Sequence, residues 1–200
     1  MIEATLIASG ISKIAGCDEA GRGPCAGPLV VAAVNLQFPL HESLEEIRDS
    51  KELSEGKREN LYDLIIENAL SYSIIEISPA EIDAKGLHKC NLEGMRRAIL
   101  TLKIEPDYVL TDGYPINGLD TPTLAVWKGD QVSITVGAAS ILAKVYRDRK
   151  MILLDKKYPG YGLAEHKGYI TARHTAAINQ LGVTEIHRKS FANIQEIINR

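Results

Sequence analysis

The hydrophobic positions fall first into short runs that are too brief and too rich in β-branched residues for helices. Residues 11–17 and 28–36, the second reading Pro28-Leu29-Val30-Val31-Ala32-Ala33-Val34-Asn35-Leu36, are bounded by Gly and Pro and predict two strands. They flank a Gly-Arg-Gly turn and are expected to pair as antiparallel neighbours. After a loop, Asp49-Ser50-Lys51-Glu52-Leu53-Ser54 leads into a helix over about 55–70, with Ser54 at the N-cap and Leu61, Leu64, Ile65 and Leu70 on one face. Tyr72 to Ile77 predicts a third strand. Ser78-Pro79-Ala80-Glu81 is a capping box with proline at the first helical position, so a short helix opens there. A further helix is expected over about 90–102. Strands follow at Tyr108–Asp112 and at Thr123–Trp127, then a long helix over about 138–157 and another from Thr171 to Leu181, stopped by Gly182. In the long helix Ile141, Leu142, Val145, Ile152 and Leu153 form the expected buried side, and Lys144, Arg147, Arg149 and Lys150 supply charge. Strands in succession, then alternating with helices, predict an α/β or α+β layer around a mixed sheet.

Composition narrows the class. The chain has 200 residues, 45% hydrophobic and 24% charged, which suits one sizeable core and a single domain. No stretch approaches the roughly 18 apolar residues of a membrane span, and the first residues lack a basic, then apolar, leader pattern, so a cytoplasmic protein with no membrane partner is expected. Cys17, Cys25 and Cys90 form no CxxC pair and are read as reduced structural thiols.

Charge changes the picture more. The net charge is −3, but residues 141–200 carry 11 Lys and Arg against 5 Asp and Glu, while residues 1–140 carry 12 against 21. Cations that hold a polyanion beside acids that hold a metal would show this asymmetry.

Candidate chemistry gathers at the ends of predicted strands. Asp18 and Glu19 close the first, Asp112 closes the fourth and Asp130 follows the last, so four carboxylates are placed to converge beyond one edge of a sheet. Like charges crowded together raise one another's pKa, whereas a divalent ion would stabilise them. Carboxylate oxygens are the ligands that Mg²⁺ and Mn²⁺ prefer, and such a site supports in-line displacement at phosphorus without a covalent protein nucleophile. The turn Gly21-Arg22-Gly23 adds a forked cation and glycines that admit a sugar-phosphate chain. Adjacent strand positions face opposite ways, so Asp18 and Glu19 need a bend, or a backbone carbonyl contact, to serve one site.

GCDEAGRGPCAGPLVVAAV, DSKELS, the DG of VLTDG, KGD followed by AASILAKVYRDR, and HKGY occur in that order over about residues 13–191. This series resembles bacterial ribonuclease HII, a type 2 ribonuclease H. The resemblance implies a ribonuclease H-like mixed five-stranded sheet flanked by helices, with a helical C-terminal segment over about 158–200 that contacts substrate. It places the family's metal-binding carboxylates on Asp18, Glu19, Asp112 and Asp130, and its ribose-reading loop on Gly21, Arg22 and Gly23. Its junction-sensing tyrosine falls on Tyr169, with Tyr161 as the alternative. It implies a metal-dependent endoribonuclease that cuts RNA in RNA/DNA hybrids and at ribonucleotides embedded in duplex DNA, leaving 3′-hydroxyl and 5′-phosphate ends. A monomer is expected, and the C-terminal sequence shows no obvious sliding-clamp peptide.

Lys51 and Lys144 are the candidate phosphate contacts. Asp148 is read as an ion-paired helix residue, and His166, His174 and His187 as surface or phosphate-contacting residues rather than zinc ligands, since they lack HExxH spacing. The glycine turn is followed by prolines and a β-branched run instead of a helix, which excludes a dinucleotide loop, and no GxxxxGK[ST] is present. The competing function is a hybrid-binding module without catalysis, which would have no use for four acids facing a polyanion. A transposase or Holliday-junction nuclease on a related sheet would not need the Gly-Arg-Gly loop and HKGY.

Overall fold

The computed structural model of the chain describes residues 2–199, apart from the side chains of residues 48–52. Its elements are α1 (Ile2–Ala8), β1 (Lys13–Ala20), β2 (Leu29–Gln37), a 3-10 segment (Glu42–Glu52), α2 (Glu55–Asn68), β3 (Ser71–Ile77), α3 (Pro79–Lys85), α4 (Leu87–Leu100), β4 (Tyr108–Asp112) and β5 (Thr123–Val126). There follow α5 (Gly129–Val132), α6 (Ile134–Lys157), α7 (Leu163–His166), α8 (Ala172–Leu181) and α9 (Ala192–Ile198).

The strands form a five-stranded mixed sheet in the order β3-β2-β1-β4-β5. β1 pairs antiparallel with β2 across the loop that joins them, and β2 pairs antiparallel with β3 although the 3-10 segment and α2 lie between them in the chain. β4 lies parallel to β1, and β5 parallel to β4. Alternation along β2 shares its side chains between two cores. Val30, Ala32, Val34 and Leu36 pack with α2 and α6, whereas Leu29, Val31 and Ala33 pack with α4. Each layer is sealed by its own helix, which is why β2 reads as an almost unbroken apolar run.

Local chemistry sets the helix ends. Ser54 accepts from the Lys57 amide and Ser78 from the Glu81 amide, so the two predicted caps form. Gly86, at φ +85, ends α3 and starts α4. The long helix begins at Ile134, earlier than the hydrophobic pattern indicates, because Ser133 caps it by accepting from the Val136 amide. That end is also where α1 docks. The buried Glu3 carboxylate accepts from the Ser133 hydroxyl at 2.7 Å and from the Thr135 amide at 3.0 Å. α1 docks through Ile2 and Leu6, and the 3-10 segment opens at His41, which accepts from the Ser43 amide.

Gly16 decides how closely α6 can approach the sheet. A Cβ there would lie 2.0 Å from the Thr135 carbonyl carbon, so only glycine lets the first turn of α6 cross β1 at this height. The far end of α6 runs past the sheet, and Ile152 and Leu153 are exposed rather than buried. Met151 and Arg147 turn inward instead. Met151 joins Cys25, Ala26, Leu163, Ala177, Ile178 and Ile194 in a cluster that fastens the C-terminal helices to the loop between β1 and β2.

Candidate active site

In the parallel ladder Cys17 stands opposite Thr111, which brings Asp18 opposite Asp112 at the ends of the central strands. The antiparallel ladder runs without interruption through Asp18, Glu19 and Ala20, so no bend gathers the first two acids. They straddle the sheet instead. Asp18 lies by Ser140 on the α6 side, and Glu19 by Asn91 on the α4 side, with Asp112 close to both. Burial, then Glu19 and Asp112, pushes the Asp18 carboxyl well above the usual carboxylate range, against the Ser140 hydroxyl and Glu19 amide. Burial also raises Glu19, opposed by Arg22 and Asn91.

Asp112 accepts from the Gly129 amide at 2.7 Å, which ties β4 to the start of α5. Asp130 was expected as a strand-end residue, but it lies in the first turn of α5, 5% exposed. The chain reverses sharply after β5 because Lys128 adopts the left-handed conformation, at φ 53. This reversal folds Asp130 inward beside the α6 N-terminus.

The donor set suits a divalent cation. Glu19 Oε2 is buried with no hydrogen-bond partner, and the Asp18 carboxyl is held up by burial and by its neighbours' charge. Among the described residues, no group of three or more His, Cys, Asp or Glu side chains is already drawn into a cation cage.

Arg22 bonds Glu19 Oε1 at 3.3 Å and lies over the Tyr114 ring at 4.9 Å. The loop that carries it is anchored from beneath by two buried arginines. Arg147 donates to the carbonyls of Pro28, Ala26 and Lys167. Arg188 donates to those of Gly21, Arg22 and Gly27. With their carbonyls so held, residues 21–28 have one backbone arrangement. Gly21, at φ +98, is required there, since a Cβ would lie 2.1 Å from Arg147 Nε. Burial and the neighbouring Arg147 push Arg188 down to about 9. Arg147, expected to supply charge on the long helix, is buried, as is Arg188, which no motif marks. The signal missed was a cation following a helix face that is otherwise apolar.

Tyr169 is half-exposed and packs on Gly23, 3.3 Å from where its Cβ would be. Tyr161 is buried, and its hydroxyl donates to the Gly182 carbonyl at 2.8 Å. Lys144 bonds Asp148 at 2.9 Å, so the ion partner of Asp148 is one helical turn back rather than the adjacent Arg147. Lys51 lies outside the described side chains. Two of the histidines expected at the surface are buried. His187 Nδ1 accepts from the Thr184 amide, its Nε2 lies 3.3 Å from His174 Nε2, and His174 Nδ1 lies 3.0 Å from the Tyr169 carbonyl. The bonds are satisfied together only if both rings are neutral, with His187 protonated at Nε2 and His174 at Nδ1. Tyr114 and Asn91 border the acids with no motif to announce them, whereas Ser140 lies within AASILAKVYRDR.

A cleft of about 290 Å³ opens over Glu19 and Asp112, bordered by Arg22, Gly113, Tyr114, Trp127 and Lys128. Acids at the ends of β1 and β4 on a sheet of this order, under a helix crossing its face, define the ribonuclease H-like class of nucleases. Residues 15–194 match the family model for ribonuclease HII, and the chain belongs to that family. It is similar to ribonuclease HII of Salinispora arenicola, at 50% identity over all of this chain and 74% of the relative. The Nocardia farcinica enzyme is 52% identical over 98% of this chain and 78% of the relative. Among solved structures, ribonuclease H2 of Pyrococcus horikoshii superposes with a TM-score of 0.83 at 30% identity, covering 94% of this chain and 98% of that one. The RNase HII crystallised with PCNA from Archaeoglobus fulgidus gives 0.76 at 26%, covering 92% and 96%. The protein is therefore a ribonuclease H-type hydrolase, acting on RNA paired with DNA. Among the described residues no helix is long and apolar enough to cross a membrane.

Proposed function

We propose that the protein is a divalent-metal-dependent endoribonuclease that cuts the RNA strand of hybrids and the 5′ side of ribonucleotides embedded in duplex DNA, leaving 3′-hydroxyl and 5′-phosphate ends. The observation that carries this reading is the juxtaposition of buried Asp18 with half-buried Glu19 and Asp112, one Glu19 oxygen being buried without a hydrogen-bond partner, beside a cleft edged by Arg22. Acids placed so would repel a phosphate chain, which argues against a module that only binds.

Asp18, Glu19, Asp112 and Asp130 are the residues that would hold Mg²⁺ or Mn²⁺. A divalent ion supplies hydroxide at neutral pH and charge stabilisation at the reacting phosphate. The chain's own part is recognition. The backbone of Gly21–Gly23 meets the ribose 2′-hydroxyl, both donor and acceptor and the group that distinguishes RNA from DNA, while Arg22 contacts the phosphate. Tyr169, exposed against Gly23, packs on the sugar at the junction; burial disfavours Tyr161 for that role. Lys144 and Lys51 contact phosphates further along. The chain works as one catalytic domain and as a cytoplasmic monomer, with residues from about 158 onward packed on the rest of the domain and reaching the substrate.

The test is cleavage of a DNA duplex with a single ribonucleotide, in Mg²⁺, in Mn²⁺ and in chelator, by wild type and Asp130→Asn. One metal-dependent cut 5′ of the ribonucleotide, lost in the variant, is expected. Binding without a cut in either metal would leave only a hybrid-binding module, and full activity in the variant would remove Asp130 from the site.

A further inference from the structure

Trp127 is the single tryptophan in the chain, and it is 81% exposed. Tryptophan has the largest apolar surface to lose to water, so an indole left outside a core calls for a reason. The local backbone supplies one. Lys128 takes the left-handed conformation, a costly choice for a residue with a Cβ, and turns the chain at once from β5 into α5. The same turn buries Asp130 and leaves the indole outside, at the rim of the acidic cleft.

The cleft is built from complementary parts. Its base carries Glu19 and Asp112, and one wall is the Tyr114 ring, with Arg22 stacked on its face and His88 against its edge. Trp127 and Lys128 form the other side. Its volume is about 290 Å³. Tyr169 is not among its lining residues, so the indole would be a second aromatic contact, separate from that tyrosine.

We propose that Trp127 is a substrate-binding residue whose indole packs on the sugar or base face of one nucleotide of the substrate strand as that strand passes over the acids. This rests on the nuclease reading above and adds to it the wall on which the strand lies. Every nucleotide offers such a face, so the contact adds affinity without sequence preference, and it takes no part in the chemistry.

The single tryptophan gives a direct readout. The full chain is titrated in chelator with a fluorescently labelled DNA duplex containing one ribonucleotide, following tryptophan emission and label anisotropy in parallel. Emission is expected to change and to saturate along the same curve as the anisotropy. In steady-state cleavage Trp127→Ala should raise KM about tenfold with kcat within twofold, and Trp127→Phe should recover most of the loss. Unchanged emission during binding, an unchanged KM in Trp127→Ala, or a loss confined to kcat would each overturn the proposal while leaving the nuclease reading intact. A wild-type chain that neither binds nor cuts the duplex would bring down both together.

Discussion

At the residue scale the proposed metal-binding acids are crowded at some cost to stability. Asp18 is a buried carboxyl whose ionisation is resisted by burial and by Glu19 and Asp112, so neutralising it removes repulsion from the folded state. Asp18→Asn is expected to lower cleavage by roughly a thousandfold or more, as for loss of a group acting on the transition state, with a melting temperature in chelator equal to or above that of wild type. Cleavage kinetics and thermal melting of the same preparation check it. The histidines give a pH prediction. Burial and His174 push His187 down to about 4, so between there and its ordinary 6.5 the unfolded chain binds more protons than the folded one. Stability from this residue is thus complete above pH 6.5 and is lost as pH falls towards 4. Urea unfolding at pH 7 and 4.5 should show His187→Gln about 2 kcal/mol less sensitive to acid than wild type. An equal slope in the two proteins would refute the buried neutral pair.

Among the elements, the contact of α6 with β1 has the least tolerance. A Cβ on Gly16 would meet backbone, not a movable side chain, so Gly16→Ala should destabilise by about 3 kcal/mol or more, read from the denaturant midpoint. The loop of residues 21–28 depends on its arginines in another way. Arg188→Met removes the donors from three buried carbonyls but keeps much of the side chain's bulk. We expect a loss of about 1–3 kcal/mol in stability, with cleavage falling more than tenfold because Gly21–Gly23 lose their fixed geometry. Arg188→Lys, with one compact cation in place of a fork, should recover little of either. Unimpaired cleavage by Arg188→Met would show that the loop holds its shape without this anchor.

For the molecule as a whole, binding of a divalent ion and folding are linked. An ion that binds only the native acids at a hundred times its Kd adds about 2.7 kcal/mol, so Mg²⁺ or Mn²⁺ should raise the melting temperature of wild type and have almost no effect on Asp18→Asn. Charge is a second global property, and the structure revises it. The basic C-terminal third puts Arg147 and Arg188 inside, and pairs Arg149 with Glu59, Lys150 with Glu76 and Lys157 with Glu185. Fewer cations are therefore free for phosphates than the residue count of this third gives, and affinity for a duplex in chelator should fall with salt with a log–log slope of only roughly −3. A much steeper slope would mean that the surface pairs open to bind DNA.

The strands were legible in the sequence because β-branched runs bounded by Gly and Pro have few other conformations, and the helices after Ser54 and Ser78 because capping is a local interaction. The ordered motifs from Gly16 to Tyr169 likewise announced the acids, the glycine turn and the class of enzyme. The tertiary structure alone decided what depends on distant partners. Parallel pairing set Asp18 opposite Asp112, and an unbroken ladder made Asp18 and Glu19 straddle the sheet. Arg147, Arg188, His174 and His187, polar by composition, went inside because backbone carbonyls and one another's ring nitrogens were there to satisfy them. Trp127 went outside because one left-handed residue turned the chain beneath it. Local preference acts over a few residues, whereas burial is settled only when segments far apart in the chain meet.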